Sequence, residues 1–219
     1  MLWSRGIRKI DAVILSHADV DHYNAMPGLM ERFSISAVWT TRVMFDPWEP
    51  NSPYSGPVKL EEILNEQKIP ILELALGDII QLGDKNQRVT FEVLHPTELG
   101  VIGSDNANSL VLGVEHLGKR LILTGDVESP GLEHLLASEP YPCELLVAPH
   151  HGSERSNPPG LIEWCHPKRV LISSGDHHPS TEKAYGRSGA EIMNTHEAGM
   201  ITTLVDSTGV RWWGHLSPR

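Results

Sequence analysis

The chain is a succession of short apolar runs separated by polar turns. The first run, residues 12–15, has four apolar side chains in a row, which is typical of a short buried strand. Runs of the same kind, and runs that alternate apolar and polar residues, predict further strands at 37–40, 71–74, 79–82, 89–94, 110–114, 120–124, 145–148, 170–173, 201–205 and 210–213.

Apolar residues at helical spacing predict helices at 58–67, 131–136, 161–164 and 190–196, and Pro27-Gly28 is expected to open a short helix. Strands dominate the first half, and strands alternate with helices in the second. This mixture predicts sheets covered by helices, an α+β layered fold. The length suits one large domain or two small ones. We expect residues 1–219 to form a single domain.

A proline-rich segment interrupts this pattern. Pro47, Pro50, Pro53 and Pro57 exclude a helix from the stretch that begins at Asp46. The segment is long enough to be a lid or a substrate loop, and a plain surface excursion is an equally good interpretation.

The composition limits the classes of partner. Of the 219 residues 40% are hydrophobic and 21% charged, which is ordinary for a globular protein, and the formal net charge is −10. This charge argues against a protein that grips nucleic acid by bulk electrostatics. The basic residues occur in small groups and are predicted to be solvated side chains at strand edges and helix ends. They are Arg5, Arg8, Lys9, Lys119, Arg120, Lys168, Arg169, Lys183 and Arg187.

The chain lacks the patterns of exported and membrane proteins. Cys143 and Cys165 are far apart in sequence and predict reduced core thiols rather than a disulfide framework or a thiolate zinc site. No apolar run is long enough to span a bilayer, and the N-terminus lacks the apolar segment of a signal peptide. Taken alone, the sequence predicts a soluble protein, cytoplasmic by default.

The first strand leads directly into a cluster of metal-ligand side chains. His17, Asp19, Asp21 and His22 follow it within six positions. Imidazole and carboxylate are common ligands of divalent metals, and this spacing allows one loop to supply two ions. The alternative is a merely solvated polar loop. Matching clusters further along the chain favour the metal interpretation.

Three later strands also end in polar side chains. Strand 120–124 is followed by Gly125-Asp126, strand 145–148 by His150-His151-Gly152, and strand 170–173 by residues 174–179, which include His177 and His178. If these strands share one sheet, their ends converge with the first loop on a single rim. A Gly-Asp pair alone is a common turn. The unpaired histidines are predicted to be surface or satisfied groups; they are His95, His116, His134, His166, His196 and His215.

At this point the motifs resemble those of a known family. His17-x-Asp19-x-Asp21-His22 is similar to the H-x-H-x-D-H motif of the metallo-β-lactamase fold, with aspartate in place of the second histidine. The order of the remaining motifs resembles the C-terminal domain of ComEC-type competence proteins, which act in DNA internalisation. These motifs are His95-Pro96, residues 105–112, residues 123–126, residues 149–153, Ser174-Gly175 and His178-Pro179.

Two departures from the family pattern shape the expectations. Residues 23–26 replace the double glycine usual after the first motif. The sequence also starts just before the motif strand, whereas the resemblance implies several earlier strands. We therefore expect a metallo-β-lactamase-like αββα sandwich whose N-terminal strands are truncated, in a fragment, a chain with a misplaced start or a split gene product.

The resemblance also implies roles for individual residues. His17 and Asp19 would hold one divalent ion, Asp21 and His22 the other, and Asp126 would bridge them, with His150 completing the second site. His151 or His178 would contact the scissile phosphate or the leaving group, and Asp21 would take part in catalysis. Asn106 or Asn108 lies where relatives supply a third histidine, and we include Asn108 in the catalytic set. The oxygen donors favour manganese or magnesium, with zinc possible.

The implied function is a metal-dependent phosphodiesterase that degrades DNA during uptake, with single-stranded DNA as substrate. A membrane channel component, encoded separately or upstream, would be a partner, and the full-length protein would lie at the cell membrane. One alternative is a metallo-hydrolase of a small ester, lactone or phosphodiester. Another is an inactive truncated domain that acts as an interaction module.

Overall fold

The computed structural model describes residue 2 and residues 5–45, 56–85 and 87–216. The proline-rich loop predicted from Asp46 lies almost entirely outside the described residues. The strands of the described part are β1 (Lys9–Ile10), β2 (Val13–Ile14), β3 (Ser34–Ile35), β4 (Val38–Thr41), β5 (Ile71–Leu74), β6 (Ile79–Leu82), β7 (Val89–His95), β8 (Val111–His116), β9 (Lys119–Leu123), β10 (Leu145–Val147), β11 (Arg169–Ile172), β12 (Glu191–Asn194), β13 (Ile201–Asp206) and β14 (Gly209–Gly214).

The helices are short. They are α1 (Val20–Tyr23), α2 (Met26–Met30), α3 (Gly56–Glu66), α4 (Gly131–Leu136), α5 (Pro159–Cys165), α6 (Pro179–Arg187) and α7 (Thr195–Ala198). Among the described residues, none of these helices has the length and apolar character needed to cross a membrane.

Two main sheets organise the molecule. β2, β4 and β5 form a parallel three-stranded sheet, and the larger sheet has the strand order β12-β11-β10-β9-β8-β7-β6. In the larger sheet β9 to β12 run parallel, and β6 to β9 form antiparallel neighbours. β1 pairs with β3, and β13 pairs with β14 in a hairpin.

Apolar side chains join the sheets and helices into four layers. Trp39 and Leu74 of the smaller sheet pack with Val93 and Leu112 of the larger one, so the two sheets lie face to face. A second cluster packs β2 and β4 against α2 and α3, and a third packs the larger sheet against α4, α5 and α6. The central strand β4 is buried at every position, as expected of a parallel strand covered on both faces. This αββα arrangement confirms the predicted fold class.

Most predicted elements are present, but the helix predicted at 190–196 is wrong. Residues 191–194 form β12, and only the following residues are helical, as α7. Ile192 pairs with Val170 and Met193 with Leu171 at the edge of the larger sheet. Pairing with a strand distant in sequence overrides the helix propensity of a short segment.

Candidate metal centre

The candidate site lies where loops from both sheets meet. β9, β10 and β11 share the larger sheet, and their carboxyl ends lie at one edge, as predicted. The motif after β2 reaches this edge from the smaller sheet. The amide of Leu110 donates to the carbonyl of Ser16 (2.8 Å), and the amide of His150 donates to that of Gly125 (3.2 Å). These bonds tie the converging loops together.

The first cluster of the site consists of His17, His22 and Asp126. One ligand atom from each lies within 4.8 Å of the others. Nε2 of His22 is 3.3 Å from Oδ2 of Asp126, and the rings of His17 and His22 are 4.1 Å apart. His17 and Asp126 are buried, at 2% and 6% exposure. A divalent ion placed among these atoms would be shielded from water on the protein side.

The second cluster consists of Asp21, His22 and His151, again within 4.8 Å. Nε2 of His151 is 3.5 Å from Oδ2 of Asp126 and 3.9 Å from Oδ2 of Asp21. Helix α1 places Asp21 and His22 in adjacent positions, with Asp21 exposed. His22 belongs to both clusters, and Asp126 contacts both His22 and His151, so the two clusters form one continuous centre.

Two further carboxylates flank the first cluster. Oδ2 of Asp19 is 3.7 Å from Nε2 of His17. The pKa of Asp19 is raised, first by burial and then by the charge of Asp21. The pKa of Asp105 is also raised, by burial and by Asp19. Asp105 belongs to the motif at 105–112, and nothing in its local sequence indicates a place in the site.

The protonation of the centre favours a cation. Burial, followed by the nearby His22, lowers the pKa of His17 to about 4, so this imidazole is neutral at neutral pH. Burial alone would raise the pKa of Asp126, but the contacts with His22 and His151 lower it overall. Among the described residues, the buried Nε2 of His17 has no hydrogen-bond partner. A free imidazole lone pair beside an ionised carboxylate fits a divalent metal.

The turn after β10 has an unusual backbone. His150 and His151 have φ of 49° and 54°, and Gly152 follows with φ of 89°. The left-handed region costs a non-glycine residue about 1–2 kcal/mol. Two such residues in succession keep this backbone conformation only because contacts with the surrounding structure stabilise it. Backbone strain of this kind is concentrated at functional sites. The hydroxyl of Thr181 donates to the carbonyl of Gly152 (2.8 Å) and helps to hold the turn.

The turn sends its two histidines in different directions. Nδ1 of His150 is 3.5 Å from Oε2 of Glu128, and His150 belongs to neither cluster, whereas His151 faces Asp21 and Asp126. The role of His150 in completing the second site therefore stays a prediction, and the described cluster contains His151 in its place. Nothing in the sequence distinguishes these adjacent histidines.

Asn108 and His178 do not join the clusters either. The buried side chain of Asn108 accepts from the amide of Val101 (2.7 Å) and donates to the carbonyls of Val101 (3.0 Å) and Ser104 (3.2 Å). These bonds use its amide to hold the preceding loop, and its catalytic role stays a prediction. Nε2 of His178 is 2.9 Å from Oγ of Ser174, and its ring lies against Gly152. His178 therefore packs against the turn and belongs to neither cluster.

Comparisons with known proteins identify the family of this chain. Residues 1–157 match the model of the Metallo-beta-lactamase superfamily. The chain belongs to this superfamily. It is 30% identical over 207 residues to ComE operon protein 3 of Bacillus subtilis, which covers 91% of this chain and 25% of that protein. It is 32% identical over 133 residues to competence protein ComA of Neisseria gonorrhoeae, covering 56% of this chain and 19% of that protein.

The fold comparison agrees. A putative metal-dependent hydrolase from Parabacteroides distasonis superposes with a TM-score of 0.52 at 14% identity, over 87% of this chain and 78% of that one. The predicted resemblance to metallo-β-lactamase domains of competence proteins is thus confirmed. This chain spans a quarter or less of the length of both competence proteins.

The superfamily match also bears on the location of the site. The part that matches the superfamily, residues 1–157, contains every member of both clusters, whereas His178 lies beyond it. The metallo-β-lactamase fold generally binds divalent metals, and the two clusters are the candidate sites for them in this chain.

Proposed function

We propose that this superfamily member is a two-metal phosphodiesterase that hydrolyses DNA strands. The observation that supports the proposal most directly is the contact of Asp126 with both His22 (3.3 Å) and His151 (3.5 Å). A carboxylate between two groups of ligands is suited to bridge two ions. Two bound divalent ions would activate water and neutralise the charge that develops on a phosphoryl oxygen.

The protein's own residues would place these ions and keep their ligands in the right state. His17 and Asp19 would hold one ion, and Asp21, His22 and His151 the other. Asp126 would contact both, and its lowered pKa keeps it ionised at neutral pH. Since carboxylates make up half of this donor set, manganese or magnesium is favoured, with zinc as the other candidate.

The choice of DNA as substrate rests on the similarity to competence proteins. The distribution of charged residues limits how DNA could bind. Lys119 and Lys168 lie at the amino ends of β9 and β11, opposite the candidate site. Lys168 is paired with Glu144 (2.7 Å). These two lysines would therefore not contact substrate phosphates, which would depend mainly on the bound ions. We expect modest affinity for single-stranded DNA that weakens as salt increases.

In the cell, the proposed partner is a membrane channel component of DNA uptake. Two alternative functions differ from this proposal. A hydrolase of small esters, lactones or phosphodiesters is consistent with the net charge of −10. An inactive interaction module would have no use for a buried imidazole whose Nε2 lacks a hydrogen-bond partner within the described residues.

The test measures metal content and hydrolysis together. Purified protein is analysed by mass spectrometry for bound metal. It is then incubated with a single-stranded oligonucleotide, a chromogenic phosphodiester and a chromogenic ester, each with added manganese. We expect DNA cleavage that Asp126→Ala reduces by more than 100-fold, the upper end of the range for residues that only orient a ligand. Asp11→Asn, a change to an exposed aspartate that pairs with Lys9, should leave cleavage unchanged.

The other outcomes separate the alternatives. Turnover of small substrates without DNA cleavage would contradict the nuclease proposal and favour the small-ester hydrolase. A folded protein that takes up no metal and turns over nothing would leave only the interaction module.

A further inference from the structure

Ser16 lies directly behind two candidate metal ligands. Its Oγ is 3.0 Å from Nδ1 of His17 and 3.2 Å from Nδ1 of His22. The opposite ring nitrogens face carboxylates of the centre: Nε2 of His17 is 3.7 Å from Asp19, and Nε2 of His22 is 3.3 Å from Asp126. One hydroxyl thus contacts the rear of both imidazoles, while their Nε2 atoms point into the site.

We propose that Ser16 is a positioning residue that accepts the Nδ1 protons of His17 and His22 when the Nε2 atoms of both rings bind metal. This inference rests on the proposed metal centre. A neutral imidazole carries one proton, and it can bind a metal through Nε2 only if that proton is on Nδ1. The partner of Nδ1 therefore decides whether the ring can serve as a ligand.

A hydroxyl is suited to act on two rings at once. Its oxygen has two lone pairs and can accept a hydrogen bond from each Nδ1, while its own proton points elsewhere. The two distances, 3.0 Å and 3.2 Å, allow both bonds to form together. An alanine at this position would remove the acceptor for both rings, so both Nδ1 protons would lose the group that selects them.

The position of Ser16 is itself constrained from two sides. Its carbonyl accepts the amide of Leu110 (2.8 Å), which joins the end of β2 to the start of β8. Its Cβ lies against Gly125, which has φ of 53°, and a Cβ added at Gly125 would come within 2.9 Å of it. We therefore expect the backbone around Ser16 to stay in place when only the hydroxyl is removed.

The decisive measurement requires no metal. Long-range ¹H–¹⁵N correlation spectra of the metal-free protein, at a pH at which both imidazoles are neutral, report which ring nitrogen carries the proton. We expect the Nδ1–H form for His17 in the wild type and in Ser16→Thr, which keeps the hydroxyl. Nε2 of His22 lies 3.3 Å from Asp126 and is expected to keep its proton there while no metal is bound. In Ser16→Ala the Nε2–H form of His17 should increase. The Leu110 amide, whose bond to Ser16 does not involve the hydroxyl, monitors retention of the fold.

The second measurement is metal affinity by competition with a chromogenic chelator, using zinc and manganese in turn. Ser16→Ala should bind about 10- to 100-fold more weakly than the wild type, as expected when an orienting partner of a ligand is lost. Ser16→Thr should recover most of the affinity. Ser138→Ala is the matched control, because it removes a serine hydroxyl that donates to the carbonyl of Leu135 (2.7 Å) on α4, a helix that supplies no cluster ligand.

Two results would overturn the role of Ser16. One is an unchanged proton position in Ser16→Ala, and the other is a metal affinity equal to that of the wild type. Failure of the proposed function looks different: a wild-type protein that binds neither ion contradicts the metal centre, while the spectra still decide whether Ser16 selects the Nδ1–H form.

Discussion

The segment from Ser16 to His22 and the turn from Pro149 to Gly152 supply the same centre in different ways. The first segment places its ligands by a short strand end and the first turn of a helix, so neighbours in sequence act together. The turn places two adjacent histidines in a left-handed backbone, and they face different partners. Ligand type can therefore be read from the sequence in both regions, but the direction of each histidine in the turn cannot.

The difference arises from what holds each region. Nδ1 of His17 and of His22 meet the hydroxyl of Ser16, a residue of their own segment. The turn depends on groups outside its own segment: Asn157 donates to the carbonyls of Pro149 (3.0 Å) and Ser153 (2.7 Å), and the more distant Tyr185 donates to Asn157 (2.8 Å). A turn held from outside should be the more sensitive of the two regions to changes elsewhere in the fold.

The strongest test of this comparison is a pair of substitutions in the turn. His151→Asn and His150→Asn both introduce a residue that tolerates the left-handed region, so the backbone change is matched. His151→Asn should lower hydrolysis by about 100-fold or more, because it removes an imidazole from the second cluster. His150→Asn should change hydrolysis only a few-fold. Equal losses in steady-state assays would mean that the turn does not distinguish its two histidines.

A pH experiment tests the first region. The pKa of His17 is lowered to about 4 by burial, so the unfolded chain binds this proton more readily than the folded protein. Stability of the metal-free protein should therefore be lost as the pH falls through about 6.5 towards 4. The raised pKa of His22 opposes this in part. Over this pH range we expect the free energy of unfolding of His17→Gln to fall by about 2 kcal/mol less than that of the wild type.

Denaturant unfolding at a series of pH values in the presence of chelator measures this difference. His134→Gln, a change on the exposed side of α4, should follow the wild-type curve. Parallel curves for the wild type and His17→Gln would contradict a buried neutral imidazole at position 17.

The smallest expected effect concerns the outer support of the turn. Tyr185→Phe removes the hydroxyl that donates to Asn157, and loss of one buried hydrogen bond should cost about 1–2 kcal/mol of stability. We expect hydrolysis to fall by less than about 10-fold, because Tyr185 acts through Asn157 on the turn rather than on a ligand. Thermal unfolding and steady-state kinetics measure the two effects.

Tyr141→Phe provides the matched control. Its hydroxyl donates to Glu92 (3.0 Å), a residue of β7 that belongs to neither cluster. A similar loss of stability without loss of hydrolysis is expected. If Tyr141→Phe lowers hydrolysis as much as Tyr185→Phe does, support of the turn is not what connects Tyr185 to activity.

Much of the fold could be predicted because buried parallel strands are continuous apolar runs. The strands on either side of each motif were found this way, and the ligand types at their ends followed from local sequence. The helix predicted at 190–196 failed, because pairing of Ile192 and Met193 with β11 is not encoded in local spacing. The hydrogen bonds of Asn108 could not be predicted for a related reason: its partners at Val101 and Ser104 are brought to it only by the folded loop.

The sequence by itself determined that strand ends carry imidazoles and carboxylates, in an order that resembles the metallo-β-lactamase superfamily. Only the tertiary structure decided that β2 reaches the site from a separate sheet, that His151 rather than His150 faces Asp126, and that Ser16 contacts two ligand rings. The physical reason is that residue type and strand or helix periodicity are local properties. The direction of a side chain in a left-handed turn depends on hydrogen bonds from residues distant in the chain.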